Sequence, residues 1–129
     1  MSTNEFSCMK GKKMVKVEGR VGQEEMRFTD KDGGVYKFYH DQDCCESVSI
    51  DDIVGDLDDL VGSPILRAEE TTDGYNEAPE NANDSYTWTF YTFTTRKGIV
   101  TVKWLGQSNG YYSERVCFTS FNLGNAKKN

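Results

Sequence analysis

No stretch of the chain approaches the ~20 consecutive apolar residues that a membrane-crossing helix needs. The N-terminus lacks a hydrophobic segment followed by a cleavage-like site, so the expectation is a soluble, intracellular protein. Apolar residues fill only 36% of 129 positions, and burial must therefore lean on 16 Phe, Trp and Tyr rings. No internal repeat divides the chain, and its length suits one domain. Cysteines stand at positions 8, 44, 45 and 117. Neighbouring Cα atoms lie ~3.8 Å apart, under the ~4.4 Å usual for a bridge, so Cys44 and Cys45 are not expected to pair with each other. In a reducing cytosol thiols serve metal binding, redox chemistry or core filling more often than stapling, and a disulfide framework is set aside.

Charge is present but unevenly placed. The net charge is −6, yet 14 acidic residues and one base, Arg67, lie between Asp41 and Asp84, so this segment carries −13 and the rest +7. A solvated face normally interleaves both signs, whereas a belt of one sign invites a basic partner.

Alternating apolar residues from Met14 to Val21 and from Met26 to Thr29 predict strands, and Asp30-Lys31-Asp32-Gly33-Gly34 turns the chain into a returning strand over Val35–His40. Ser49 with Asp52 resembles a capping box, and Ile53, Leu57, Leu60 and Val61 share a face at 3.6-residue spacing. A short α-helix is therefore expected over roughly Asp51 to Val61, stopped by Gly62-Ser63-Pro64, with Ile65 to Ala68 resuming as strand. Thr71 to Ser85 is polar and acidic and is expected as a long mobile loop. Tyr86–Thr95 reads as a strand with Tyr86, Trp88 and Phe90 on one face and Tyr91 and Phe93 on the other, and these rings are expected to fill the core rather than stack bases. Turns at Lys97-Gly98 and Ser108-Asn109-Gly110 would make a three-stranded meander, with Val100, Val102 and Trp104 on its second strand and Tyr112, Val116 and Phe118 on its third. Residues 1–12 are expected as a loose arm and 125–129 as a tail. The expected fold is one α+β domain, a mostly antiparallel β-sheet with one short α-helix.

The densest chemistry is His40-Asp41-Gln42-Asp43-Cys44-Cys45-Glu46, which holds the single histidine. Thiolate, imidazole and carboxylate suit zinc, and His40, Asp43, Cys44 and Cys45 are the candidate ligands of a structural site, with Cys117 as a distant alternative. The competing reading is a buried apolar cysteine beside solvated carboxylates. A Cys–His catalytic dyad lacks any identified oxyanion hole or substrate pocket. Gly106-Gln107-Ser108-Asn109-Gly110 fits the hydrolase-elbow pattern, but no histidine follows it and the context is a hairpin. Asp30-Lys31-Asp32-Gly33 lacks the closing glutamate of a calcium loop, and Asn83-Asp84-Ser85 is a glycosylation pattern that matters only in a secreted chain. The basic residues Lys10, Lys12, Lys13, Lys16 and Arg20, beside so acidic a belt, make a poor nucleic-acid footprint.

Tyr39-His40-x-Gln42-Asp43-Cys44-Cys45-Glu46, Gly55-Asp56-Leu57, Gly62-x-Pro64-Ile65-Leu66, Ala68-Glu69-Glu70, Tyr86-Thr87-Trp88-Thr89-Phe90 and Ser108-Asn109-Gly110-Tyr111-Tyr112-Ser113-Glu114 together resemble a small family encoded mainly by phages and prophages. The resemblance spans about residues 36–118 and looks like the type II-A anti-CRISPR proteins, which implies a non-enzymatic inhibitor in the bacterial cytoplasm with an RNA-guided effector nuclease as its partner. Such nucleases hold guide and target in positively charged channels that an acidic protein can obstruct. On this expectation Asp51, Asp52, Asp56, Asp58, Asp59, Glu69 and Glu70 form one acidic platform on the metal loop and helix, with no direct nucleic-acid or membrane binding. The alternative expectation is a small metal-dependent or thiol enzyme, and a further one is a structural phage component.

Overall fold

The computed structural model describes residues 8–42, 45–73, 85–109 and 113–122. Eight strands form two four-stranded antiparallel sheets. Sheet I contains β1 (Met14–Glu18), β2 (Glu25–Asp30), β3 (Gly34–Tyr39) and β8 (Cys117–Asn122), in that order across the sheet. Sheet II contains β4 (Ser47–Val54), β5 (Arg67–Asp73), β6 (Ser85–Thr95) and β7 (Gly98–Ser108), in the order β4-β7-β6-β5.

Strand alternation explains why the two sheets share one core. Met26 and Phe28 of β2, Phe38 of β3, Tyr91 and Phe93 of β6 and Val100, Val102 and Trp104 of β7 are buried in a single apolar cluster. The Phe28 ring centre lies 4.9 Å from that of Phe93, and Phe38 lies 4.7 Å from Tyr91, both tilted, so rings from the two sheets interlock. Each fully buried large side chain contributes roughly 1.5–3 kcal/mol, and tilted ring pairs add about 0.5–1.5 kcal/mol. A chain with little aliphatic content thus closes its core with rings. Trp88 and Phe90 take the opposite face of β6, where the Lys103 ammonium sits 4.2 Å from the Trp88 ring centre.

The β2–β3 hairpin is tied by one carboxylate. Asp30 is 4% exposed, and its Oδ1 accepts from the Asp32 and Gly34 amides at 2.8 Å each, while Oδ2 accepts from the Tyr36 hydroxyl at 2.7 Å. Burial pushes the Asp30 carboxyl up, but the hydrogen bonds from Tyr36, Gly34 and Asp32 and the charge of Lys12 outweigh it and hold it below its usual range. Burial and the Asp30 carboxylate push the Tyr36 hydroxyl well above its usual range.

The expected α-helix over Asp51–Val61 is corrected. Asp51 and Asp52 lie in β4, paired with β7, and a bulge falls between Ile50 and Asp52. The inserted residue sets the core-facing positions at Val48, Ile50 and Ile53, so the step from Ile50 to Ile53 imitates helical spacing in a strand. β-Branched Val48, Ile50, Ile53 and Val54 favour the pleated ladder, and so short a helix would nucleate poorly. Gly55 then turns the chain at φ +110°, where a Cβ would stand 2.6 Å from the Ile99 carbonyl. Only Leu57–Leu60 winds, as one 3₁₀ turn capped by Asp56 rather than Ser49, with the Asp58 amide 2.9 Å from Asp56 Oδ1.

Other boundaries also move. β8 pairs with β3, from Tyr39↔Cys117 to Gly34↔Asn122, so the predicted third strand of a meander belongs to the other sheet. Residues 8–13 are docked rather than loose: Met9 is fully buried, and bridges join Lys10 to Ile65 and Lys13 to Pro64. β5 extends to Asp73, into the span expected as loop; 74–84 and the expected tail over 125–129 lie outside the described residues.

Candidate functional site

The polar end of the sandwich

The chain crosses from sheet I to sheet II between Tyr39 and Ser47, and His40 and Glu46 flank that crossing. His40 Nδ1 is 2.7 Å from the Arg115 carbonyl oxygen and Nε2 is 2.7 Å from Glu46 Oε2, with the two side chains 3% and 0% exposed. A carbonyl can only accept, so Nδ1 carries hydrogen and donates to it. A proton must then lie between Nε2 and Glu46, either on the ring beside a carboxylate or on a neutral carboxyl. Gln42 Nε2 donates to the Glu46 carbonyl at 2.6 Å and closes the loop. The imidazole thus pins together the end of β3, the start of β4 and the segment leading into β8.

This arrangement decides how the predicted zinc ligands stand. Asp43 and Cys44 lie outside the described residues. Cys45 is exposed and disulfide-bonded, against the expectation that the chain carries no disulfide, while Cys8 and Cys117 take no part in a disulfide. A disulfide sulfur has no thiolate charge to give a cation, and both His40 nitrogens are engaged. Among the described residues no three His, Cys, Asp or Glu side chains gather as a metal site. Of the four expected ligands, His40 and Cys45 are the two among the described residues, and each is already engaged by another group.

A second cluster adjoins the first through Arg115. Glu114 Oε1 accepts from Thr87 Oγ1 at 2.6 Å and Oε2 accepts from Ser108 Oγ at 2.6 Å. Glu70 Oε2 accepts from the Tyr91 hydroxyl at 2.7 Å. Burial, followed by the Glu70 bond and charge, pushes the Tyr91 hydroxyl well above its usual range. Glu70, Thr72, Thr87, Thr89, Glu114 and Arg115 line a cavity of about 440 Å³ at this end. Gly106 makes the cluster possible, since a Cβ there would run into the Glu114 backbone carbonyl.

Sequence reasoning missed Thr87, Ser108, Tyr91 and Glu114. Their partners lie 6 to 27 residues away, on another strand or, for Glu114, in the segment before β8, and no local pattern signals them. Glu46 stands inside the histidine block, where nothing local marks it as the partner of His40.

The acidic surface

The seven carboxylates expected on one platform separate. β4 and β5 are opposite edges of sheet II, three strand spacings or about 14 Å apart, which parts Asp51 and Asp52 from Glu69 and Glu70. Glu69 and Glu70 are consecutive on β5 and point to opposite faces. Glu69 pairs with Arg67 at 3.1 Å, and Glu70 turns to the cavity. Asp56, Asp58 and Asp59 gather at the 3₁₀ turn, at the far end of the sandwich from the cavity. Among the described residues none of Asp51, Asp52, Asp56, Asp58 and Asp59 forms an ion pair with Lys or Arg. Val54 and Ile99, 60% and 59% exposed, stand beside them.

Comparison with known proteins

A family model described as a domain of unknown function (DUF7448) matches residues 7–118. No curated protein and no solved structure matches the chain.

Proposed function

The chain belongs to the DUF7448 family, and from that starting point we propose that it is a binding protein that blocks a cationic nucleic-acid channel on its partner. The observation carrying this reading is the set of five Asp residues on β4 and the 3₁₀ turn, none paired with a base among the described residues. Unpaired carboxylates on folded backbone keep their field directed outward, and complementary charge speeds encounter and fixes orientation. Val54 and Ile99 add apolar area at the same place, which a purely electrostatic contact would lack. The resemblance to type II-A anti-CRISPR proteins names the partner as a type II CRISPR effector nuclease in the bacterial cytoplasm, with target DNA loading as the step blocked and no catalysis by this chain. Among the described residues no helix is long and apolar enough to cross a membrane.

The test is DNA loading by the guide-bound effector nuclease at increasing concentrations of this protein. Loading should fall, and the inhibition should weaken as salt rises. An Asp51→Lys/Asp52→Lys/Asp56→Lys variant should bind the nuclease at least about tenfold more weakly while melting normally. Undiminished DNA loading at saturating wild-type protein would refute the reading.

A further inference from the structure

One part of the cavity wall at the polar end is built of hydrogen-bond acceptors. Each hydroxyl owns one proton. Thr87 and Ser108 spend theirs on the two oxygens of Glu114, and Tyr91 spends its own on Glu70. Of these three only Thr87 lines the cavity, and what it has left to offer there is its lone pairs. Neither Glu70 nor Glu114 has a Lys or Arg ion-pair partner among the described residues, and with Arg115 exposed at the rim the described lining carries one net negative charge. Thr89 lines the same cavity while only 4% exposed, and no hydrogen bond joins its hydroxyl to another described residue. A divalent metal fits poorly, because among the described residues no three acidic or thiol ligands converge and Arg115 stands at the rim.

We propose that this cavity binds an alkyl ammonium group, held by Glu114 and Glu70 with Thr87 and Thr89 as neutral acceptors. An ammonium brings three donors and a single charge, which matches the acceptors Glu70, Glu114, Thr87 and Thr89 and the negative charge they carry. A volume of about 440 Å³ admits a lysine-sized stem, and Val116 offers apolar contact to it. The ammonium can come from a free amine or from a lysine side chain of another protein. The site stands apart from Asp51–Asp59 and does not depend on the inhibitor reading.

The experiment titrates the full-length ¹⁵N-labelled protein with N-acetyl-lysine methylamide, with the norleucine analogue as the uncharged control and magnesium as a third arm. The lysine probe should give saturable amide shifts at Thr87, Thr89 and Arg115, and norleucine should give none. Glu114→Gln should weaken the lysine probe by about tenfold or more. Should that variant lose its fold, Thr89→Val keeps the shape of the wall and should weaken the probe about threefold at an unchanged melting temperature. Cadaverine binding tighter than the capped lysine identifies a free amine as the source, and the reverse order identifies a protein side chain. Equal shifts with norleucine, saturation by magnesium alone, or unchanged affinity in folded Glu114→Gln or Thr89→Val would overturn the proposal.

Discussion

The two ends of the sandwich use the same chemistry at different sequence range. At the β2–β3 hairpin, Asp30 takes all its partners from within six residues: the amides of Asp32 and Gly34 and the Tyr36 hydroxyl. At the opposite end of β3, His40 reaches 75 residues along the chain to Arg115, and Glu114 reaches 27 residues back to Thr87. The local network closes on itself and leaves no room, since a Cβ on Gly34 would stand 2.5 Å from Asp30 Oδ2. The non-local network is assembled by strands of sheet II and the segments that join the two sheets, and it borders a cavity. A carboxylate met by hydroxyls is thus a turn lock in one place and a cavity wall in the other, and the difference lies in where its partners come from.

Removing Asp30 should break the contrast most severely. Asp30→Ala leaves two amides and the Tyr36 hydroxyl without their acceptor and should cost about 3–5 kcal/mol in denaturant unfolding, with a smaller loss for Asp30→Asn. Next, His40→Ala and Glu46→Ala should each cost roughly 2–4 kcal/mol, and the double variant should cost at least about 1 kcal/mol less than their sum, because one buried group without the other is the expensive state. Additive losses would mean that the pair does not act as a unit. Gly106→Ala should cost about 1–3 kcal/mol by pushing against the Glu114 carbonyl, and its amide shifts should fall on residues 113–116 while sparing 30–36.

The gentlest probe is acid. The folded Asp30 carboxyl titrates below the usual aspartate value, so its contribution is present above that value and is lost as pH falls through the folded one. Thermal melts from pH 5 downward should therefore decline more steeply for the wild type than for Asp30→Asn, and parallel declines would remove Asp30 from the account.

Much of the strand pattern was legible because it is local. Alternation placed Tyr91 and Phe93 opposite Trp88 and Phe90, and the Asp30–Gly34 turn followed from its glycines and aspartates. The helix reading of Asp51–Val61 failed because a bulge and a helix share a three-residue step, and only pairing with β7 separates them. The site was legible at His40 and Glu70 as residues worth naming, but not in their roles. The bonds from His40 to the Arg115 carbonyl and to Glu46 join segments that no local pattern connects. Glu70 looked like a neighbour of Glu69 until the strand turned them to opposite faces.

Composition and order along the chain were enough to set an antiparallel, ring-filled sheet protein with its negative charge gathered between Asp41 and Asp84, since alternation, turn chemistry and charge are properties of near neighbours. Which carboxylates share a surface, which meet a hydroxyl and which face a cavity depended on the order β4-β7-β6-β5 and on β8 joining β3. Those pairings join residues tens of positions apart. They are chosen by burial of the whole ring cluster between the sheets, a cooperative quantity that no short window of sequence contains.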